Sequence, residues 1–270
     1  MIVLGLDTST RATAVGLLLA DGSLLQARDD PEGEARPGHA TRLLPLAHSL
    51  LADAGLVWGE VERIAVGVGP GTFTGLRIGV ATARGLAQSS GIELVGVSSL
   101  RALAHAAVSL DRHAPEGEGR EASERDGNGR GASEEWASEG DGRPPVLAVI
   151  DARRGEVFAA AYHAATELVA PAPLAPADLP ELRKRADSLA GSPTWTALGD
   201  GAVRYRRELE DAGAIVPHDL SPLHRVDARA ICELGLLGGL TDAQVLPDYR
   251  RRPDAEIASP PESALQGAPS

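Results

Sequence analysis

The chain has 270 residues, 43% of them apolar and 24% charged, with a formal net charge of −12 and a single cysteine, Cys232. That length suits two compact domains of ordinary size, and no apolar run approaches the ~18 residues that a membrane-spanning helix needs. The acidic balance works against holding a nucleic-acid backbone alone, a lone cysteine forbids an internal disulfide or a cysteine metal cluster, and the first residues lack the basic segment and cleavage site of a signal peptide, so the expected compartment is the cytoplasm.

In chain order, Ile2 to Asp7 reads as an apolar strand ending in a carboxylate, Thr13 to Leu19 as a second strand and Ser23 to Ala27 as a third, an N-terminal meander. The turn Asp7-Thr8-Ser9-Thr10-Arg11 admits two uses. Asp7, Thr8, Ser9 and Arg11 can contact a phosphate and its metal ion, or the short polar side chains can satisfy the turn's own amides. From His39 to Ala54 the positions Leu43, Leu46, Ala47, Leu50 and Ala54 form a helical stripe closed by Gly55. Pro45 falls inside it and is expected to kink the helix or free the carbonyl of Thr41, because proline lacks the N–H and its ring crowds the preceding turn. His39, at the helix start, reads as a capping or packing residue, with no second ligand at i+3 or i+4.

Arg63 to Gly69 is β-branched and apolar, a strand covered on both faces. It runs into Gly69-Pro70-Gly71-Thr72-Phe73-Thr74-Gly75-Leu76-Arg77-Ile78-Gly79, where Pro70 and Gly71 end the strand and Thr72 or Thr74 is placed to cap a helix. Within that helix Gly75, Gly79, Ala83 and Ala87 recur every four residues and make one face nearly flat. Such a face suits close packing of another element, or close approach of backbone amides to a phosphate. Neither common phosphate fingerprint is met: no lysine follows the last glycine, and Gly67-x-Gly69-x-Gly71 lacks dinucleotide-loop spacing. Each helical glycine costs ~1 kcal/mol, so the row calls for a packing or ligand reason.

Ile92 to Val97 reads as a further strand, followed by a helix that Ser98 or Ser99 can cap. From Asp111 to Arg143 the composition changes to ten acidic side chains, five arginines and seven glycines, a solvated insertion or linker. Val146 to Asp151 and Glu156 to Tyr162 then form a hairpin around Ala152-Arg153-Arg154-Gly155, echoing the first strand, terminal aspartate, turn and strand. Thr196 to Ala202 again joins a strand to a helix through glycines, and Cys232 reads as a buried helical thiol. The arginines around Arg204 and after Pro247 read as solvated faces, or as contacts to RNA carried by a partner. The expected fold is α/β, a duplicated actin/sugar-kinase/Hsp70-like architecture with a small βββαβα unit in each half. Its expected parts are a first lobe over 1–110, the insertion over 111–143, a reduced second lobe over 144–252 and a flexible tail over 253–270.

Asp7-Thr8-Ser9-Thr10, the segment His39 to Pro45, the glycine motif from Gly69 to Gly79, Gly96-Val97-Ser98-Ser99-Leu100, Asp151 to Val157 and Pro247-Asp248-Tyr249-Arg250-Arg251 together resemble the TsaB family. The resemblance implies an actin-like fold and a role in making threonylcarbamoyladenosine beside the anticodon of tRNAs that read codons beginning with A. It implies a non-catalytic subunit that partners the catalytic paralogue TsaD, with TsaE as an additional ATPase, tRNA met only through the complex, and a homodimer open to the free protein. ATP or ADP and a metal would then belong to TsaD or to the subunit boundary, with no cofactor held tightly here.

The paralogue's metal-binding His-x-x-x-His pair is replaced by Ser99 and Leu103, and its Ser-Gly-Gly-His loop by the residues around Arg153 and Arg154. The flat helix face then reads as a partner surface, with His39, Leu43, Leu46, Leu50, Gly75, Leu76, Gly79, Ala83 and Ala87 as candidate contacts. Gly69 to Thr74, with Asp151 and Arg153, read as structural. Two other readings stand beside it: an autonomous ATPase or kinase of the same fold, supported by Asp7 and the glycine turns, and a glycoprotease-type enzyme, for which no His-Glu-x-x-His pair occurs.

Overall fold

The computed structural model describes residues 1–33, 35–109, 145–163, 166–191, 194–241 and 245–250. The first lobe contains β1 (Val3–Asp7), β2 (Thr13–Leu18), β3 (Leu24–Asp29), α1 (His39–Asp53), β4 (Arg63–Gly69), α2 (Phe73–Ser90), β5 (Glu93–Ser98) and α3 (Ser99–Ser109). The second contains β6 (Val146–Arg153), β7 (Glu156–His163), β8 (Thr166–Leu174), α4 (Leu179–Ala190), β9 (Trp195–Leu198), α5 (Asp200–Arg204), α6 (Arg206–Asp211) and β10 (Ala214–Ile215). The chain then forms α7 (Ala228–Leu236) and β11 (Leu240–Thr241). The expected insertion over 111–143 and the tail over 253–270 lie outside the described residues.

The duplication expected from the two aspartate turns is visible in the sheets. The first runs β3-β2-β1-β4-β5-β11 and the second β8-β7-β6-β9-β10. In each lobe the central strand pairs antiparallel with its meander partner and parallel with the strand after the first crossover, β4 in one and β9 in the other. The likeness extends to single atoms: the Ser9 amide donates to Asp7 Oδ1 at 3.0 Å, and the Arg153 amide donates to Asp151 Oδ1 at 2.9 Å. An aspartate at the strand end bonds the amide two residues on and so fixes each turn.

Burial explains the strand sequences. Every residue of β1 and β2 is buried, as an unbroken apolar run on a sheet covered on both faces requires. On β6 the side-chain period of two divides the strand: Ala148 and Ile150 face the core between the sheets, while Leu147 and Val149 face the outer core beside α4. Helices α3 and α7 contribute to the core between the sheets, and α1 and α2 cover the outside of the first.

Helix α7 corrects the expected lobe boundary. From residue 228 the chain leaves the second lobe: α7 packs on β1, β2 and β4, β11 pairs antiparallel with β5, and Val245 joins the outer core of the first lobe. The helix lies close because the sheet offers glycines beneath it. A Cβ on Gly5 would stand 2.6 Å from Cys232 Sγ, and one on Gly16 would stand 3.1 Å from the Ala228 Cβ. Cys232 is the buried thiol expected, pushed up to about 12 by burial and so held as an inert S–H.

Gly5→Val is expected to lower stability by ~1–3 kcal/mol through overpacking against α7. Gly85→Ala, on the exposed side of α2 where a Cβ meets nothing within 4 Å, is expected to raise it by ~0.5–1 kcal/mol. Urea midpoints of the two variants check both.

Candidate functional site

Four glycines spaced four apart along β4, the turn and α2 receive the turn after β1. A Cβ on Gly67 would stand 1.9 Å from Asp7 Oδ2, one on Gly71 2.3 Å from the Ser9 carbonyl, one on Gly75 2.0 Å from the Thr8 carbonyl, and one on Gly79 2.2 Å from Thr8 Oγ1. The missing side chains are therefore the space that Asp7, Thr8 and Ser9 occupy. Hydrogen bonds close the joint: Thr8 Oγ1 donates to the Gly75 carbonyl at 2.7 Å, and the Thr72 amide donates to the Ser9 carbonyl at 2.7 Å. Gly69 holds φ +107, and the ladder between β4 and β5 shifts register between Gly67 and Gly69 as the strand gives way to the turn. Thr72 occupies the N-cap of α2 without a side-chain cap bond, and Thr74 lies exposed in the first turn, so the capping expected of them is not made. Phe73 lies under the Arg77 guanidinium, 3.8 Å from it, and Arg77 Nε donates to the Tyr249 hydroxyl at 2.9 Å.

Asp7, Thr8 and Ser9 are buried, and their polar atoms are spent inside the protein. Asp7 Oδ1 accepts from the Ser9 amide and from Ser9 Oγ at 2.8 Å, and Oδ2 accepts from Ser99 Oγ at 3.2 Å. Burial raises the Asp7 pKa, and the Ser9 and Ser99 bonds pull it back. Arg11 is held by the Gly33 and Ala35 carbonyls at 2.6 and 2.9 Å. Of the two uses open to this turn, the geometry displays the one in which it satisfies itself.

The second aspartate turn is closed by arginines. Arg153, Arg154 and Gly155 all have positive φ, at 66°, 54° and 77°. Left-handed backbone at two non-glycine residues in succession costs of order 1–3 kcal/mol each and needs tethers. Asp151 supplies one, accepting the Arg153 amide through Oδ1 while Oδ2 pairs with Arg153 Nη1 at 3.2 Å and Arg204 Nη1 at 3.1 Å. Behind it, Asp200 Oδ1 accepts the Asp151 amide at 3.0 Å. Burial pushes Asp200 up to about 6; the Asp151 amide opposes this and the Asp151 charge adds to it.

The candidate partner face is corrected by its burial. Gly75, Leu76, Gly79, Ala83 and Ala87 on α2, and His39, Leu43 and Leu50 on α1, are turned inward, and Leu46 is half-buried. His39 Nδ1 lies 2.9 Å from Thr13 Oγ1, and burial lowers its pKa, as befits a packing residue. The small residues of α2 are inward because Thr8 and β4 lie against them. Outward are Leu44, Pro45 and His48 on α1, and Thr74, Arg77, Ala81, Gly85 and Gln88 on α2. Size alone could not separate the two faces of α2, since Ala81 and Gly85 are as small as Gly79 and Ala83; the signal lay in the four-residue spacing that continues back through Gly71 to Gly67. Pro45 is accommodated within α1 on its exposed side.

A repeated strand order on two sheets, helices between them and an aspartate turn at each central strand define an actin/sugar-kinase/Hsp70-type fold. The family model described as "TsaD: tRNA N6-adenosine threonylcarbamoyltransferase" matches residues 31–116. The chain is 33% identical over 163 residues to the tRNA threonylcarbamoyladenosine biosynthesis protein TsaB of Escherichia coli, covering 60% of this chain and 55% of that protein. It is 28% identical over 271 residues to the TsaB of Bacillus subtilis, covering 95% and 96%. The structure of YeaZ from Pseudomonas aeruginosa superposes with a TM-score of 0.63 at 28% identity, covering 92% of this chain and 99% of that one. Matches to several curated relatives span about half of those proteins' length. The chain is thus similar to TsaB proteins over nearly its whole length.

Gly79→Ala is expected to destabilise the fold by ~1–3 kcal/mol, because its Cβ would displace the Thr8 hydroxyl; an unchanged urea midpoint would count against the cradle. For Asp200 the folded pKa lies above the ordinary 3.8, so the folded state binds the extra proton and its stability falls as pH rises from 3.8 to about 6. Urea midpoints at successive pH values are therefore expected to show the wild type losing ground relative to Asp200→Asn across that window, and a constant difference above it.

Proposed function

We propose that the chain is a non-catalytic subunit in the threonylcarbamoylation of tRNA, binding and activating a TsaD-type paralogue that carries the nucleotide, the metal and the chemistry. The observation that carries this reading is the closed cradle. The turn whose side chains could orient a phosphate and its metal ion spends them on itself: Asp7, Thr8 and Ser9 are buried, and each is bonded to its neighbours. The positions that resemble the paralogue's histidine pair are also spent internally: Ser99 bonds Asp7, and Leu103 is part of the core between the sheets. A helix built on this cradle is a rigid platform, and rigidity is what a subunit surface requires.

The outward sides of α1 and α2 offer that surface. Leu44 contributes apolar area, while Ala81 and Gly85 let a partner helix approach the α2 backbone closely. Any tRNA, and TsaE, would be met through the assembled complex, in keeping with the net charge of −12.

Co-purification with the same organism's TsaD, with assays of ATP turnover and tRNA modification, tests the reading. Turnover is expected only from the mixture, and turnover by this chain alone would replace the subunit with an autonomous enzyme. Gly85→Arg is expected to abolish the heterodimer in size-exclusion chromatography while leaving the thermal unfolding midpoint within a few degrees of wild type, because no atom lies within 4 Å of a Cβ there.

A further inference from the structure

A cavity of about 730 Å³ lies where the lobes meet, and neither aspartate turn lines it. Its walls come from the ends of β4 and β5, the first turn of α3, β8, the chain around β11 and the strap 245–250. The strap ties the lobes together at its edge: the Asp248 amide donates to the Val68 carbonyl in β4 at 2.8 Å, and Arg250 Nη1 donates to the Pro171 carbonyl in β8 at 2.5 Å. The volume is that of a small-molecule site, roughly 300–1,000 Å³.

Leu234, Leu240 and Leu246 make part of the lining apolar, and Arg101 and Glu167 also line it. These two opposite charges have no ion pair or side-chain hydrogen bond among the described residues. Arg250, by contrast, is already neutralised by Asp248 at 2.8 Å. Behind this wall the Tyr162 hydroxyl is buried, and burial together with the Glu167 charge holds it above the usual phenol range while Ser98, Arg101 and Arg250 pull it back. The charge pattern selects the ligand. A simple anion would meet Glu167, and a simple cation would meet Arg101 beside the positive end of α3. We propose that this cavity binds a free amino acid with an apolar side chain, its carboxylate on Arg101, its ammonium on Glu167 and its side chain against Leu240 and Leu246.

The proposal is independent of partner binding. Calorimetric titration of the full chain with L-phenylalanine, N-acetyl-L-phenylalanine and L-phenylalanine amide tests it. The zwitterion is expected to bind best, and Arg101→Gln to weaken it about ten-fold by removing a charged hydrogen bond while leaving the amide unaffected. Glu167→Gln is expected to do the same to the zwitterion and to spare the N-acetyl compound. Both side chains are exposed, so folding should be untouched, which urea midpoints verify. Absence of saturable phenylalanine binding at millimolar concentration, equal binding of the three compounds, or indifference to both substitutions would each overturn the proposal. None of those results would bear on assembly with TsaD, which is read by co-purification.

Discussion

The rest of the first lobe depends on the seating of the Asp7-Thr8-Ser9 turn in the row formed by Gly67, Gly71, Gly75 and Gly79. The contact joins the end of the central strand to the next strand, the turn and the first half of α2, so one joint sets the relation of sheet to helix. It is polar and buried, and such a joint holds only when its groups are bonded. The carboxylate of Asp7 accepts from Ser9 and Ser99, Thr8 donates to Gly75, and Ser9 accepts from Thr72. Because Ser99 opens α3, the same carboxylate also fixes the helix that runs between the sheets. A segment that loses about 1 kcal/mol for each helical glycine recovers it in hydrogen bonds that larger residues would exclude.

The lobes are then held by chain that crosses between them. Helix α7 lies on the inner face of the first sheet, its approach set by Gly5 and Gly16 below and by Gly235, where a Cβ would stand 2.3 Å from the Ala65 Cβ. The strap beyond β11 adds bonds to β4 and β8, and Arg77 and Arg84 on α2 reach Tyr249 and the Val245 carbonyl. Helix α2 is thus joined to the second lobe as well as to its own sheet. A partner docked on its outer side would engage an element coupled to both halves of the molecule.

The two aspartate turns are each held by their own side chains, in different ways. In the first lobe small hydroxyl side chains fill the cradle; in the second, Arg153, with left-handed backbone, and Arg204 from α5 both pair with Asp151. Both keep the aspartate and the amide bond that fixes the turn, which preserves the strand geometry. This closure of both turns is what favours the proposed subunit role over that of an autonomous enzyme.

Much of this was legible in the chain itself. Unbroken apolar runs marked the covered strands, the four-residue glycine and alanine spacing marked a close-packed helix face, and the repeated aspartate, turn and strand marked the duplication, because these signals are local and follow backbone geometry. The sequence motifs also carried the family resemblance. Other features required the folded chain. Nothing in the run from Gly75 to Ala87 says whether a small-residue face meets a partner or Thr8, since size is the same property in both settings. Nor does the sequence near Ala228 announce that the chain returns to the first sheet; its fit is written in Gly5 and Gly16, more than two hundred residues earlier. Local pattern determined which elements form and which faces are flat, whereas long-range packing decided which surface each face meets, because that depends on residues brought together only by folding.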